Sequence, residues 1–534
     1  LIRGGHNTVK VRVSPEEIFS QIDYIDLLVA LNKETVQLHI PELHSGSGII
    51  YDEDTIKIDE IDLPVGIKLF SVPFKKIIKE LGLKEIVMNT IGISASFGIL
   101  GYDLALLLSV LEDEFKGKPE IIEMNKKAAE AGYNYAKERY NSNFDYSLEP
   151  VSIGKKRLLL TGNEAVALGA IKAGLKLYVA YPMTPASSIL HYLAAKQQEM
   201  NLVVFQTESE IAAINAAIGA AFAGVRAITG TSGGGFALMT EALGLAAMTE
   251  TPLVIVVSQR PGPSTGLATR TAQGDLRFVL HASQGEFPRF VIAPGDVNEA
   301  FYYTAEMFNL VEKYQVPGII LLDKYLSESS KTTDTLNEGK IKIDRGKLFL
   351  EENRKDYKRY EITEDGVSPR AIPGLKGTIF RVTGDEHDEF GYTIEEEHLA
   401  VKMADNRFKK QKYMEEELSH YEPVKVYGDV NAKNALIFWG STKGPILEAY
   451  KILSSENLPV RLVQVVFMSP FPTDAFLKAI DGAENLILVE GNKTALLGSL
   501  IRENALINID KQVKKYGGRP FNPIEIAEKV KEVL

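Results

Sequence analysis

Four polar residues, Thr184, Glu210, Ser232 and Arg260, each stand just beyond an apolar run of strand type. A carboxylate, a guanidinium and two hydroxyls at neighbouring strand ends can hold a small anion and move a proton. Arg260, in VVSQRPGPSTGLATRTAQGDL (Val256–Leu276), follows its run directly and is stiffened by Pro261 and Pro263. A guanidinium so placed suits two-toothed capture of a carboxylate. Glu210 lies in FQTESEIAAINAAIGAAFAG (Phe205–Gly224), where the following Ala, Ile, Asn and Gly residues read as a buried helix. A carboxylate at the first turn of a buried helix is costly unless it is paired. Thr184 sits in Tyr181-Pro182-Met183-Thr184-Pro185, and Pro182 fixes the loop that carries it.

Each residue also has a purely structural reading. Thr184 can cap the next helix, with Pro185 at the first helical position. Thr207 and Glu210 stand at capping-box spacing. Ser232, in Gly230-Thr231-Ser232-Gly233-Gly234, fits the G-x-S-x-G elbow of a serine hydrolase, in a strand–turn–helix context. A triad would need an acid and a histidine downstream. His281, His387, His398 and His420 are available, but none sits at an obvious strand end. The other reading of this stretch is a glycine turn that lets something approach the backbone. Singly, Thr184 would be a helix start and Arg260 a loop arginine. Four such residues at four strand ends of one sheet point to a site. No G-x-G-x-x-G or P-loop occurs at these turns, which weighs against a nucleotide dehydrogenase or an NTPase.

The elements that must position them follow from alternation. Between Arg157 and Ser327, strand patterns occur at Lys176–Tyr181, Leu202–Gln206, Arg226–Thr229, Leu253–Ser258, Phe290–Ile292 and Gly318–Leu322, with helical patterns between several of them. This predicts a parallel sheet with helices on both faces. The alternation restarts later, with strands at Ala435–Trp439, Val460–Val465 and Asn485–Val489. Ahead of both, residues 1 to about 140 mix short strands (Ile25–Leu31, Gly66–Val72) with helices (Pro73–Leu81, Ile121–Arg139). Tyr140–Lys156 reads as a linker and the charged stretch Glu328–Asp365 as a connector. The fold class is α/β, with two doubly wound sheets of similar plan. The opening Leu-Ile-Arg-Gly-Gly offers neither a strand nor a cap, so the expectation is a mid-domain start with an upstream segment missing.

The chain has 534 residues, 25% charged and 45% hydrophobic, as in ordinary globular proteins. Its net charge of −11 weighs against a nucleic-acid-binding surface as its main business. Cysteine is absent, which excludes disulfides, zinc-thiolate sites and cysteine-ligated iron–sulfur clusters within this chain. Abundant Lys, Glu and Ile without Cys suits a thermophile. The longest uncharged stretches, Val87–Tyr102 and Ile211–Val225, fall short of a membrane span and suit buried helices. With no signal-peptide pattern, the expected compartment is the cytoplasm.

The motif YPMTP resembles the Y-P-I-T-P signature of the 2-oxoacid:ferredoxin oxidoreductases. TGNEAVALGAIKAG (Thr161–Gly174), TAQGDLRFVLHASQGEFPR (Thr271–Arg289), SPRAIPG (Ser368–Gly374), TGDEHDEFG (Thr383–Gly391) and GGRPFNP (Gly517–Pro523) are also similar to their α subunit. The opening LIRGGHNTVKVRVS (Leu1–Ser14) resembles the γ subunit, which is fused ahead of α in some members. Two positions depart from the pattern: Met183 replaces Ile, and Gly234 stands where a proline is typical. The resemblance implies a γ-type domain over residues 1–140, lacking its amino-terminal part, and a thiamine-diphosphate pyrimidine-binding domain over 157–327. It also implies a connector over 328–372 and a transketolase C-terminal-like domain over 373–534. It further implies oxidative decarboxylation of a 2-oxoacid, with coenzyme A taking the acyl group and ferredoxin the electrons. A separate β subunit would carry the Mg2+ and a [4Fe–4S] cluster, so this chain would hold no metal. Glu210 would be the catalytic residue, hydrogen-bonded to the cofactor's pyrimidine ring and favouring its imino tautomer. Thr184 and Arg260 would hold the substrate carboxylate, and Tyr181, Pro182, Ser232 and Gly233 would line the cofactor. Neither nucleic acid nor membrane is an expected partner. The rivals are a serine hydrolase using Ser232 and a non-catalytic scaffold subunit.

Overall fold

All seven residues of Leu253–Gln259 are buried, and so are all seven of Pro317–Asp323. Such unbroken apolar runs belong to strands covered on both faces. The two pair in parallel, from Leu253 opposite Pro317 to Gln259 opposite Asp323. The computed structural model that contains them describes residues 5–140, 143–150 and 156–534. The opening Leu1–Gly4 and part of the expected linker Tyr140–Lys156 lie outside the described residues. The chain forms two compact units, Leu1–Glu17 with Gln21–Gly154, and Ile18–Ser20 with Lys155–Leu534.

The first unit holds a three-stranded parallel sheet, β1 (Ile25–Val29), β2 (Leu43–Tyr51) and β3 (Lys68–Ser71), with β2 in the middle. The helices Met88–Ile99 and Pro119–Tyr140 pack beside it through Ile91, Ala95, Ile99, Ala128 and Ala136.

The second unit carries β4 (Leu158–Leu160), β5 (Leu177–Ala180), β6 (Val203–Gln206), β7 (Ala227–Thr231), β8 (Leu253–Gln259), β9 (Phe290–Ile292), β10 (Pro317–Asp323) and β11 (Lys331–Thr333). After these come β12 (Leu348–Phe349), β13 (Arg370–Ala371), β14 (Val424–Gly428), β15 (Asn434–Phe438), β16 (Val460–Val465), β17 (Phe467–Ser469), β18 (Asn485–Glu490) and β19 (Lys511–Lys514). The main sheet has the order β17-β9-β10-β8-β7-β5-β6, parallel except for β17. A second sheet has the order β14-β16-β15-β18-β19, parallel except for its edge strand β14. Two small pairs, β11 with β4 and β12 with β13, complete the strands.

Alternation along β8 assigns the faces of the main sheet. Val254 and Val256 point into a core shared with the helices Gly162–Lys172 and Val297–Tyr314. Leu253, Ile255 and Val257 point into a second core with Ala213 and Ala217 of the helix Glu210–Phe222, and with Phe236 and Leu243 of Gly233–Met248. Ile437, Trp439 and Val463 belong to that same core, so the two sheets share it. Met414 and Leu418 pack into the first of these cores. No helix among the described residues is long and apolar enough to cross a membrane.

Candidate active site

The strand order β8-β7-β5-β6 places Arg260, Ser232, Thr184 and Glu210, in that order, just past the carboxyl ends of four adjacent parallel strands. Open α/β sheets bind ligands at this edge.

Glu210 is the first residue of its helix. The capping box expected from Thr207 and Glu210 does not form. Ser209 is the N-cap, its Oγ accepting from Ala212 N at 3.2 Å, while Thr207 Oγ1 donates to Ser209 O at 2.9 Å. Glu210 is therefore released from capping, only 3% exposed, and its Oε1 has no hydrogen-bond partner. A helix N-terminus stabilises a carboxylate by about 0.3–1 kcal/mol, or ~2 kcal/mol when partly buried. A buried polar atom left without a partner costs about 1–3 kcal/mol. The open Oε1 favours a bound donor.

Gly235 makes room for this carboxylate. A Cβ at residue 235 would clash with Thr231 Oγ1 and lie 2.6 Å from Glu210 Oε1. Thr231 Oγ1 in turn approaches Met183 Sδ at 3.9 Å. At Gly234 a Cβ would meet nothing within 4 Å, so the glycine that departs from the family pattern is not the one under steric constraint. The run Gly233-Gly234-Gly235 signals a close approach in sequence, but not which glycine makes it.

Thr184 does not cap a helix. The helix begins at Ser187, with Ala186 at the N-cap position and no side-chain cap, and the Thr184–Pro185 peptide is cis. The loop is held instead by Asn163 Nδ2, which donates to Pro185 O at 2.8 Å and Ser188 Oγ at 2.7 Å. The capping box of this region is Thr161 with Glu164, at the start of the helix that carries Asn163. Arg260 Nη1 donates to Thr184 O at 2.8 Å, so residues from β5 and β8 meet across the end of β7. Arg260 forms no ion pair among the described residues. Pro182 and Thr184 are half-buried, and Tyr181 is exposed at 38%.

Ser232 is fully buried and its Oγ has no hydrogen-bond partner, so no histidine is joined to it. That removes the Ser–His pair a hydrolase elbow requires. Neighbouring Gly233 packs on a residue not singled out from sequence: a Cβ there would lie 2.5 Å from Asp275 Oδ2. Asp275 N donates to Gln259 Oε1 at 2.9 Å, and its buried Oδ2 has no partner. Burial pushes the Asp275 carboxyl up to about 6, with the charge of Arg260 opposing. Its place in TAQGDL could have drawn notice, but an Asp before a helix reads as an ordinary cap. Among the described residues no cluster of three or more His, Asp or Glu is placed to hold a metal ion.

A parallel-sheet edge that gathers a carboxylate open at Oε1, a guanidinium without an ion pair and a close-approach glycine is the ligand edge of an α/β enzyme fold. Residues 168–406, which hold the four strand-end residues, match the thiamine-diphosphate-binding family of pyruvate flavodoxin/ferredoxin oxidoreductases. Residues 1–135 match the pyruvate ferredoxin/flavodoxin oxidoreductase family. A 2-oxoacid:ferredoxin oxidoreductase subunit alpha from Sulfolobus sp is 37% identical over 100% of this chain and 90% of its own length. The 2-oxoglutarate oxidoreductase subunit KorA of Mycobacterium tuberculosis is 29% identical over 99% of this chain and 84% of its own. A solved 2-oxoglutarate:ferredoxin oxidoreductase from Magnetococcus marinus, with 2-oxoglutarate, coenzyme A and succinyl-CoA bound, superposes with a TM-score of 0.89 at 32% identity. That match covers 97% of this chain and 90% of the solved one. The chain belongs to the 2-oxoacid:ferredoxin oxidoreductase family and is similar over its whole length to the α subunits.

Proposed function

We propose that this chain is the α subunit, with a γ-type segment fused ahead of it, of an enzyme that oxidatively decarboxylates a 2-oxoacid. The products would be acyl-CoA and carbon dioxide, with electrons passed to ferredoxin. The observation that carries this reading is the buried Glu210 carboxylate, unpartnered at Oε1 and faced by Gly235. An aminopyrimidine ring fits such a group, because its nitrogens can share a proton with a carboxylate.

In this reading Glu210 holds a proton at the pyrimidine ring nitrogen, while Tyr181, Pro182, Ser232 and Gly233 line that half of the cofactor. When bound, thiamine diphosphate supplies the carbon nucleophile for the 2-oxo carbonyl and the sink for electrons left by departing carbon dioxide. Arg260 holds the substrate carboxylate through the N–H groups that Thr184 O does not use. The carbonyl of Thr184 fixes the angle of that guanidinium, and its hydroxyl is a further donor to the same carboxylate.

A β subunit would complete the enzyme, holding Mg2+ and the [4Fe–4S] cluster. The lack of any cysteine here supports that division. So do Ile211, on the helix Glu210–Phe222, and Leu238, on the helix that begins with the glycine run, each 51% exposed. Exposed apolar side chains on helices that begin at the site suit a protein partner. Coenzyme A is assigned as acyl acceptor by likeness to the M. marinus neighbour, and the site of action is placed in the cytoplasm. The γ-type domain is assigned to residues 1–140, the pyrimidine domain to 157–327, the connector to 328–372 and the transketolase C-terminal-like domain to 373–534.

Arg260→Ala in the assembled enzyme tests the substrate assignment. A charge-assisted hydrogen bond is worth about 1.5–3 kcal/mol, so kcat/KM for the 2-oxoacid falls about tenfold to a hundredfold. Thiamine diphosphate affinity stays near that of the wild type. Loss of the cofactor with substrate capture intact overturns the role given to Arg260.

A further inference from the structure

Asp275 has no part in the mechanism above, yet it lies at the same sheet edge with a group left open. Its backbone N–H is fixed by Gln259 Oε1, at the end of β8 and one residue before Arg260. Its carboxylate lies against the Cα of Gly233, where an added Cβ would meet Oδ2 at 2.5 Å and both Cγ and Oδ1 at 2.9 Å. Oδ2 is buried and accepts nothing. Asp275 and Arg260 make no ion pair, so each keeps hydrogen-bonding capacity for a third group. An ionised Asp beside an empty Arg260 balances its charge. Once a substrate carboxylate arrives, two anions would compete for one guanidinium in a partly dry site, and like charges so placed cannot both stay ionised at little cost.

We infer that Asp275 is a substrate-binding residue for the 2-oxoacid carboxylate: it is ionised beside Arg260 in the empty site and takes up a proton when the 2-oxoacid binds. The protonated carboxyl then donates to the substrate carboxylate that Arg260 holds. The proton comes from solvent. It returns there when the carboxylate leaves as carbon dioxide and Arg260 again lacks a counter-charge. This rests on the reading of Arg260 as the substrate-carboxylate contact.

The groups facing Asp275 are few. Arg260 comes from the loop after β8 and is the charge that acts on it. Gln259 comes from the strand end, and Gly233 from the amino terminus of the helix Gly233–Met248. Arg277, on its own helix, pairs through Nη2 with Glu503 at 2.6 Å, while its Nη1 is buried without a hydrogen-bond partner. Glu210 lies beyond Gly233, against Gly235. The sign follows from the carboxyl's raised value of about 6. Below that pH, Asp275 is already protonated and binding takes up no proton. Above it, binding must first protonate Asp275, so substrate capture weakens as pH rises.

The test uses the assembled enzyme loaded with thiamine diphosphate and Mg2+. Oxamate, which carries the carboxylate but cannot be decarboxylated, is titrated calorimetrically at pH 7.5 in phosphate and in Tris. The difference between the buffers gives protons taken up. Wild type takes up on the order of one proton per site, and Asp275→Asn takes up none. In steady state, wild-type kcat/KM falls about tenfold or more between pH 6 and pH 8, because this ratio follows ionisations of the free enzyme. The fall is several-fold smaller in Asp275→Asn. No proton uptake by the wild type overturns the inference without recourse to any variant. If Arg260→Ala weakens oxamate while Asp275→Asn keeps wild-type uptake, the inference fails and the Arg260 reading stands. If Arg260→Ala binds oxamate as the wild type does, the Arg260 reading fails, and the inference with it.

Discussion

Glu210 shows how a residue with an ordinary local role is set apart by its neighbour. Ser209 takes the cap, and the carboxylate one position on is left buried without a partner at Oε1. Thr207 and Glu210 are legible as a capping pair because capping depends only on spacing. Which of two hydroxyls does the capping depends on the backbone at Ser209, which spacing does not encode. The glycine turn gives a prediction at this scale. Gly235→Ala would press a methyl on Thr231 Oγ1 and place it 2.6 Å from Glu210 Oε1, displacing both, so thiamine diphosphate affinity in the assembled enzyme falls about tenfold or more. Gly234→Ala has open space around it and leaves thiamine diphosphate affinity almost unmoved. Equal effects from the two substitutions would contradict the placement of Glu210 against Gly235.

The strands of the main sheet are legible because burial on both faces writes continuous apolar runs, and each run between Lys176 and Leu322 became a strand. Two features at this scale were not legible. Strand β2, Leu43–Tyr51, is interrupted by Ser-Gly-Ser-Gly and shows no clean run, although pairing on both sides makes it the centre of its sheet. Strand β17, Phe467–Ser469, pairs with β9, and no local pattern tells a strand which sheet it will join. Arg226 holds several elements together. It donates to Glu312 Oε2 at 2.8 Å, Asn309 Oδ1 at 3.0 Å, and the carbonyls of Ala173 and Asp344, both at 2.6 Å. These partners come from the helix Val297–Tyr314, the cap of the helix Gly162–Lys172 and the stretch after β11. Removing one member of a buried ion pair costs about 3–5 kcal/mol, so Arg226→Ala should lower the unfolding free energy by that much in denaturant titration. A loss under 1 kcal/mol would mean that water or Arg345, which also pairs with Glu312 at 2.8 Å, replaces the network.

At the scale of the molecule, the proposed function gives this chain half of an active site. Two sheets share one core, which fixes the strand ends of the main sheet, and these ends present an acid and a cation with open hydrogen-bonding capacity. The chain contains no cysteine to hold an iron–sulfur cluster by thiolates. The account therefore assigns Glu210 as this chain's catalytic contribution to a two-chain enzyme, against a scaffold whose carboxylate only begins a helix. Glu210→Gln separates the two, because it keeps size and packing and changes only the ability to exchange a proton. The deciding measurement is hydrogen–deuterium exchange at C2 of thiamine diphosphate bound in the assembled enzyme, quenched with acid and read by NMR. The account predicts that the Gln variant assembles and binds the cofactor but exchanges more slowly by about 10²–10⁴, the usual range for acid–base work by one side chain. Exchange at the wild-type rate in that variant would contradict it.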